Sequence, residues 1–374
     1  MKMFDALVIG AGIAGLSSAF YLARAGKNVV VLEKDHAGAG ASGGAAGIIV
    51  TPKFVEADTP YAEMNSFARL NRMGYDEYPA FLDQIDVKPE RVGYVRDGGY
   101  YLAFDREQWE NRKRYFQEMK KYGRPVRWMD SQDVTEQLPM VSSRVQGGFF
   151  YKEEARLDPG LLIESIKEAA VREGVIVKQG EKAVDANLSN HDSVTVITTE
   201  NSYSASDLVI TAGAWSGIFA ETLGLEIGVR PRRGQMLRLR HPLLESVPLI
   251  KENDRFFVPR PGREAVVGAT MDTEAGFSTE CREQATRDLL ETANRMIDFK
   301  ESPVVREKWV GLRPYANRKG GPFLGRVPEH PNVFLCTGHY KNGITQGPVS
   351  ARLVVDSLLE KSSPKFIEDY SVDR

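Results

Sequence analysis

The first residues with a chemical pattern are three glycines near the N-terminus. Residues 10–15 read G-A-G-I-A-G, directly after an apolar run at residues 4–9 and before the pattern of an amphipathic helix. In such a strand, turn and helix, Gly10 permits the tight turn, Gly12 lets the backbone approach a pyrophosphate, and Gly15 lets the helix pack on the strand. The spacing predicts a dinucleotide site at the helix start; a glycine-rich turn without a ligand is the alternative.

An acidic residue and a second glycine-rich stretch follow. Glu33 ends the next apolar run, about twenty residues beyond the glycines, where a carboxylate can accept hydrogen bonds from a ribose. Residues 38–47 read G-A-G-A-S-G-G-A-A-G, and so many small residues imply close approach of the backbone to a ligand. This second stretch favours FAD over NAD, because a longer ligand has a ribityl chain and a ring that must also be held. A flexible loop and an NAD enzyme are the alternatives.

The chain leaves this nucleotide unit and returns to it. Helical patterns cover residues 62–84, 105–122, 160–173 and 347–359; strand patterns cover residues 94–104, 175–178, 183–188, 193–198, 207–211 and 333–336. Residues 226–272 alternate as an antiparallel sheet does. The predicted fold class is α/β, α+β overall: a Rossmann domain for FAD with an interleaved substrate domain on a mostly antiparallel sheet. We expect the FAD-binding domain to comprise residues 1–75, 152–222 and 325–374, and the substrate-binding domain residues 76–151 and 223–324.

Composition excludes several classes of protein. A net charge of -2 over 374 residues provides no field that favours nucleic acid or an anionic membrane. The two cysteines, Cys281 and Cys336, lie far apart and form no C-x-x-C pair, which argues against a disulfide framework or a zinc site. No stretch approaches the ~20 apolar residues of a membrane span, and the N-terminus does not resemble a signal sequence. We expect a cytoplasmic enzyme without a bound metal.

Several segments together resemble one family. They are V-I-G-A-G-I-A-G (8–15) with Glu33, G-A-S-G-G-A-A-G (40–47), V-I-T-A-G-A-W-S (209–216), G-L-R-P (311–314) and T-G-H-Y-K-N-G-I (337–344). They resemble the D-amino-acid oxidase-like (DAO) superfamily over nearly the whole chain. Order and spacing are most similar to glycine oxidase and its sarcosine-oxidase-like relatives, which R-P-R-R-G-Q (230–235) and V-V-G-A-T-M (266–271) also match. The resemblance implies a glutathione-reductase-like FAD domain, with substrate held between a sheet and the flavin ring.

The resemblance also assigns residues to the cofactor. They are Gly10, Gly12, Ile13, Ala14, Gly15, Glu33, Lys34, Ala41, Ser42, Ala46, Gly47, Ile48, Val184, Ala212, Gly213, Trp215, Gly338, Lys341, Asn342, Gly343, Ile344 and Thr345. In such enzymes the loop that matches residues 338–345 lies beside the flavin, where backbone amides and a helix N-terminus stabilise negative charge. No cysteine or histidine matches the position of covalent flavin attachment in monomeric sarcosine oxidases, so we expect non-covalent FAD, with Cys336 in the core.

Four residues are candidates for catalysis. Arg313 matches the family arginine that pairs with the substrate carboxylate, for which a guanidinium offers a bidentate fork; a structural salt bridge is the alternative. His339 is a second candidate for catalysis, and the alternative is that it makes only a structural hydrogen bond. Phe256 stands where glycine oxidase has a tyrosine, and Lys341 where its flavin loop has an arginine. Both departures weaken the assignment of glycine and favour a larger, an N-alkylated or a different acid substrate.

The expected reaction is oxidation of a small amino acid or N-substituted glycine, of the glycine, sarcosine or D-amino acid type. A hydride passes from Cα to flavin N5, the imine hydrolyses to an oxo acid and an amine, and O2 reoxidises the flavin to give H2O2. Lys341 is a candidate for the positive charge that assists the last step. The alternatives are a dehydrogenase of a 2-hydroxy acid or glycerol phosphate that uses another acceptor, and a non-catalytic nucleotide-binding protein. The sequence leaves open whether the protein forms a homo-oligomer.

Overall fold

The structure is a computed structural model that describes residues 3–56, 58–190, 193–318, 321–361 and 364–372. The strands of these ranges are Phe4–Ile9 (β1), Val29–Glu33 (β2), Ile48–Val50 (β3), Gly99–Ala103 (β4), Val126–Asp130 (β5), Gly147–Tyr151 (β6), Glu154–Arg156 (β7), Ile176–Gln179 (β8), Ala183–Asn190 (β9), Ser193–Thr198 (β10), Ser202–Ile210 (β11), Val229–Arg240 (β12), Ile250–Glu252 (β13), Arg255–Arg260 (β14), Glu264–Gly268 (β15), Val304–Ala316 (β16), Phe323–Val327 (β17) and His330–Thr337 (β18). The α-helices are Ile13–Arg24 (α1), Ser66–Asp76 (α2), Tyr78–Gln84 (α3), Arg106–Lys121 (α4), Ser131–Gln137 (α5), Pro159–Arg172 (α6), Ser216–Thr222 (α7), Glu283–Met296 (α8) and Gly343–Leu358 (α9).

The first sheet forms around the N-terminal strand. Its order is β17-β18-β11-β1-β2-β8, and β9 and β10 are added as a hairpin beside β11. The pairs β18–β11, β11–β1, β1–β2 and β2–β8 are parallel. Side chains of β1 alternate between two apolar clusters, with Val8 packed against α1, α6 and α9 and Leu7 on the opposite face. Both faces are therefore covered, as in doubly wound α/β folds.

The second sheet is mostly antiparallel. Its order is β16-β12-β15-β14-β13-β4-β6-β5, and β13 and β4 form its one parallel pair within the described ranges. One face carries Leu237, Val267 and Phe257 and packs on α8. The opposite face carries Met236, Val258 and Val266 and is turned toward the second glycine-rich stretch, which it meets at Ala46. This sheet therefore stands over the nucleotide unit.

Several predicted helices are confirmed and two are corrected. Helices α4 and α6 match the predictions for residues 105–122 and 160–173, and the Asp158 side chain caps α6 by accepting hydrogen bonds from the amides of Gly160 and Leu161. The predicted helix 62–84 is wrong in length, because the structure divides it at Glu77 into α2 and α3.

The last predicted helix, 347–359, begins too late. Helix α9 starts at Gly343 and contains Pro348, which the sequence pattern treats as a residue of the first turn. Proline cannot donate a hydrogen bond to the carbonyl of residue 344. The hydroxyl of Tyr78 donates to that carbonyl instead, at 3.1 Å. A side chain distant in sequence therefore lets the helix extend through Pro348.

The position of α3 bears on the domain division. Tyr78, Phe81 and Leu82 belong to the cluster that contains Leu16 of α1 and Leu353 of α9. These residues thus pack with the first sheet, although we predict that the substrate-binding domain starts at residue 76. The domain boundaries themselves stay a prediction.

Candidate active site

A cleft with a volume of about 450 Å³ lies between the two sheets. One wall is formed by residues at the carboxyl ends of parallel strands, including Ile9, Glu33 and Thr337. The other wall is formed by the second sheet, with Met236 and Phe256 among its residues. Ligands of open α/β sheets bind outside the carboxyl ends of the strands, so the cleft lies where this topology provides a site.

The predicted phosphate position has the geometry that the glycines imply. Gly10 has φ +101°, in the region that favours glycine, and a Cβ on Gly15 would lie 2.5 Å from the Thr211 hydroxyl oxygen. Gly12 precedes α1 and lines the cleft; it has no side chain with which to cap the helix, and the first turn of α1 has no acidic residue. The positive dipole end of α1 is therefore available to a pyrophosphate, although the amide of Ile13 donates to the Ser42 hydroxyl.

The second glycine-rich stretch joins α1 to the second sheet. The Ser42 hydroxyl accepts a hydrogen bond from the Ile13 amide at 3.0 Å. The Trp309 indole donates to the carbonyl of Gly44 at 3.1 Å, and the Arg260 guanidinium donates to that of Ala46 at 2.8 Å. These three contacts hold the backbone of the stretch against the cleft. The stretch is therefore an anchored wall, which the alternative of a flexible loop does not describe.

Glu33 lies at one end of the cleft. Its carboxylate accepts hydrogen bonds from the amides of Ala11 at 2.8 Å and of Asp35 at 3.0 Å. A carboxylate has about four acceptor positions, so positions for ribose hydroxyls remain. Nearby, the Lys34 ammonium lies 4.1 Å from the centroid of the Trp215 ring, a cation–π contact. These residues form the polar and aromatic end of the cleft that the sequence predicts for an adenosine.

The loop before α9 lines the opposite end. His339 is 5% exposed, and its Nε2 has no hydrogen-bond partner among the described residues. Burial lowers the pKa of His339 to about 4, so the imidazole is neutral at ordinary pH. Helix α9 follows Asn342 without a side-chain cap, and Asn342 and Gly343 line the cleft. A second helix N-terminus thus offers amides to a polar ring system.

Arg313 reaches the cleft from β16. Its guanidinium contacts the carbonyl oxygens of Arg233 and Thr270 at 3.4 Å each and packs against Gly234. Partial burial lowers the pKa of Arg313, Tyr340 and Asp254 act in the opposite direction, and the positive charge of Arg255 lowers it further. It forms no ion pair with a carboxylate of the described ranges, so the structural salt bridge is not found there. A desolvated guanidinium without a counterion is a site for an anionic ligand.

The two residues that depart from glycine oxidase also line the cleft. Phe256 presents an apolar ring on β14. The Lys341 ammonium lies 3.5 Å from a carboxylate oxygen of Asp254, and both side chains are well exposed. Lys341 is thus at a solvated edge, whereas Arg313 and His339 are in the interior. All four candidates for catalysis are brought to one cleft.

Most of the predicted cofactor residues line this cleft, and five do not. Gly10 and Gly15 support the turn beneath it, and Gly338 and Thr345 pack behind it. Val184 is 41% exposed, and its neighbour Ala183 lines the cleft instead. For these five, a direct contact with the cofactor stays a prediction that the structure does not favour.

Other cleft residues were not predicted from the sequence. They include Met236, Lys251, Asp254, Met271 and Tyr340. Tyr340 was within a recognised motif, but nothing marks Lys251 in the sequence, since one lysine in a short strand is typical of a solvated face. Cys336 is buried as predicted and also lines the cleft; burial raises the pKa of its thiol, which disfavours the reactive thiolate.

Comparisons with known proteins give the family and the fold. Residues 5–357 match the model of the family described as FAD dependent oxidoreductase. A glycine oxidase of Geobacillus kaustophilus is 26% identical over 375 residues, 99% of this chain and 97% of the relative. The crystal structure of glycine oxidase from that organism superposes with a TM-score of 0.88 at 24% identity, covering 100% and 99% of the two chains. The crystal structure of an iminodiacetate oxidase from Chelativorans sp. BNC1 superposes with a TM-score of 0.85 at 24% identity, and the match covers 98% of each chain.

These matches confirm the predicted fold class. They agree with the cleft geometry, in which two helix N-termini, an anchored glycine-rich wall and a buried imidazole whose Nε2 has no partner among the described residues suit a long dinucleotide with a polar ring. Within the described part of the chain, no helix is long and apolar enough to cross a membrane.

Proposed function

The chain belongs to the FAD-dependent oxidoreductase family, and from that premise we propose that it oxidises the carbon–nitrogen bond of a small amino acid or N-substituted glycine. The observation that carries the proposal is the guanidinium of Arg313, which is partly buried in the cleft without a carboxylate partner in the described ranges. Its bidentate fork suits the α-carboxylate that all such substrates share. The glycine oxidase and iminodiacetate oxidase relatives, whose names describe acids with an oxidisable amine, support the same substrate class.

FAD, when bound in the cleft, supplies the two-electron acceptor for a hydride from the substrate Cα. The chain contributes binding and orientation. Arg313 holds the carboxylate, and the apolar side chains of Phe256 and Met236 exclude water beside the reacting carbon. The N-terminus of α9 and the neutral His339 offer hydrogen bonds at the ring-binding end. Within this proposal the imine hydrolyses in solution to an oxo acid and an amine, and O2 is the final acceptor with H2O2 as product.

The assignment of individual residues belongs to the same proposal. The cleft residues at the α1 end bind the diphosphate of FAD. Glu33 and Trp215 bind its adenosine, and residues 339–344 bind its flavin ring. The raised pKa of Cys336 supports non-covalent FAD, because a protonated thiol is a poor nucleophile. Acid precipitation tests this point: the yellow colour should stay in the supernatant, and colour in the pellet would show a covalent bond. The proposal also includes the division into an FAD-binding and a substrate-binding domain that the sequence predicts.

The deciding experiment is an anaerobic titration of the purified yellow protein. Glycine, sarcosine, D-alanine and D- and L-proline are added separately, and loss of the visible flavin band is followed; 2-hydroxy acids and glycerol phosphate are the comparison set. Reduction by amino acids, with peroxide released on admission of air, is the expected result. Reduction by hydroxy acids alone would replace the proposal by the dehydrogenase alternative. An Arg313→Met variant should lose the response to amino acids while keeping its FAD.

A further inference from the structure

A buried charged cluster adjoins the cleft on the side of β13. Its members are Lys53, Tyr101, Glu154 and Lys251. The Glu154 carboxylate is fully buried; it lies 2.8 Å from the Lys53 ammonium and 2.6 Å from the Lys251 ammonium. The hydroxyl of Tyr101 also donates to Glu154 and accepts from Lys251 at 3.1 Å. Of these four residues, Lys251 lines the cleft.

The charges of this cluster do not balance. Two ammonium groups share one carboxylate, and the side chains of Lys53 and Lys251 are only 13% and 12% exposed. An ammonium has three donors, and Lys251 uses two of them within the described ranges, to Glu154 and Tyr101. Glu154 would keep a cationic partner in Lys53 if Lys251 were absent, so the carboxylate does not by itself require the second lysine. The surplus positive charge is therefore at the cleft wall.

The sheet register gives the position of Lys251 relative to Arg313. Lys251 pairs with Phe256 and Phe256 with Gly268, so Lys251 and Phe256 share one face of the sheet. Arg313 pairs with Arg232, an even number of residues from Met236, and therefore lies on that same face. Strands β16 and β13 are four positions apart in the sheet, about 19 Å at the usual strand spacing. Trp309 is the residue of β16 in line with Lys251, and Arg313 is four residues further along that strand, an added offset of about 13 Å. Long side chains shorten the gap between the two charged groups.

Apolar side chains lie between the two cations, and the guanidinium of Arg255, which donates to the carbonyl of Ala269, also lines the cleft. Met236, Phe256 and Ala269 line the cleft there, and Ile48 of β3 packs against the same cluster. The wall thus offers a cation, an apolar stretch and a second cation in sequence. A ligand with an anion at each end and methylene groups between matches that order.

We propose that Lys251 binds a second anionic group of the substrate, so that the preferred substrate is a secondary amine that carries a second carboxylate on its N-substituent. This inference rests on the proposed function, because it takes Arg313 as the site of the α-carboxylate. Lys251 is then a specificity-determining residue, and Lys53, behind it, is a positioning residue. The strand separation favours an N-substituent longer than that of iminodiacetate.

The protonation of Lys251 is consistent with this role. Burial lowers the pKa of Lys251 to about 8, Glu154 raises it, and Lys53 and Arg112 lower it further. Keeping Lys251 charged in this buried position thus costs free energy, and an anion bound beside it would raise its pKa. Binding of the second carboxylate relieves that cost.

The test uses the holoenzyme and a series of N-(ω-carboxyalkyl)glycines of increasing methylene number, from iminodiacetate upward. Sarcosine and N-alkylglycines of matched length are the neutral counterparts. Both KM for anaerobic flavin reduction and Kd from the ligand-induced change in the flavin spectrum are measured. The wild type should prefer a diacid of intermediate length over its neutral counterpart. Lys251→Met should raise the diacid KM by about 30-fold or more, the lower end of what removal of one partner from a buried charge pair costs.

Two variants separate specificity from structure. Lys251→Arg keeps the charge and should keep the preference for the diacid. Lys308→Met is the matched control: Lys308 is on β16 of the same sheet, outside the cleft, where it pairs with the exposed Glu283 of α8, and its loss changes the net charge equally. If Lys251→Met does not fold, Lys251→Gln, which removes the charge but keeps a hydrogen-bond donor for Glu154 and Tyr101, serves in its place.

Each result decides the proposal. The subsite proposal is overturned if the wild type shows no preference for any diacid, or if Lys251→Met keeps that preference. The proposed function is still intact in either case if sarcosine reduces the flavin. If no amine reduces the flavin, the proposed function fails, and the Kd values then judge Lys251 separately. Tighter binding of diacids that depends on Lys251 supports the subsite, and equal binding by both variants rejects it.

Discussion

Gly234 offers a direct test of how Arg313 is positioned. A Cβ at residue 234 would lie 2.5 Å from Cζ of the Arg313 guanidinium. Carbon atoms in favourable contact are about 3.5 Å or more apart, so Gly234→Ala must displace the guanidinium by about 1 Å. A misplacement of about 1 Å in a positioning group can cost about 100-fold in rate. We therefore expect kcat/KM for carboxylate-bearing amines to fall about 100-fold, or about 2.7 kcal/mol.

The assay is anaerobic flavin reduction over a range of substrate concentrations, together with FAD content and thermal unfolding of the same preparation. Gly228→Ala is the matched control, because a Cβ there would meet Asn317 at an ordinary 3.4 Å. Gly234→Ala made in an Arg313→Met background should have little additional effect, since the group that it displaces is gone. A folded, FAD-replete Gly234→Ala enzyme with wild-type kcat/KM would refute the idea that Arg313 anchors the carboxylate from its position against Gly234.

Three further predictions follow from other parts of the cleft. Glu33→Ala should weaken FAD binding by about 10-fold or more, because hydrogen bonds to a charged group contribute about 1.5–3 kcal/mol; fluorescence titration of the apoprotein with FAD measures this, and an unchanged Kd would exclude Glu33 from the ribose site. Phe256→Tyr should lower KM for glycine several-fold by adding a hydroxyl beside the carboxylate, and an unchanged or higher KM would count against that placement. The ratio of kcat/KM for the best diacid to that for its neutral counterpart should fall as pH rises through about 8, because Lys251 binds the anion only when protonated. In Lys251→Arg the ratio should stay flat over the same range, and a flat wild-type profile would contradict the assignment.

Local sequence patterns were sufficient to predict the strand, turn and helix of the N-terminal nucleotide-binding unit. Gly10, Gly12 and Gly15 act within a few residues of one another, and the strand and helix beside them follow from short-range periodicity, so their geometry could be predicted. Asp158 likewise caps α6 through neighbouring amides. The family motifs extended this to Arg313 and the loop before α9, and the structure brings those segments to one cleft.

Other features depend on contacts between residues far apart in sequence. Helix α9 extends through Pro348 because the hydroxyl of Tyr78 satisfies the carbonyl that the proline leaves free, and no local pattern contains that contact. Lys251 is one lysine in a three-residue strand, and its burial against Glu154 arises only when β13 pairs with β14 and β4 and Glu154 of β7 comes into contact with it. Sequence alone thus determined the residue types and spacings that local geometry requires. The tertiary structure decided which charges lose their water, because desolvation depends on what the rest of the chain places around them.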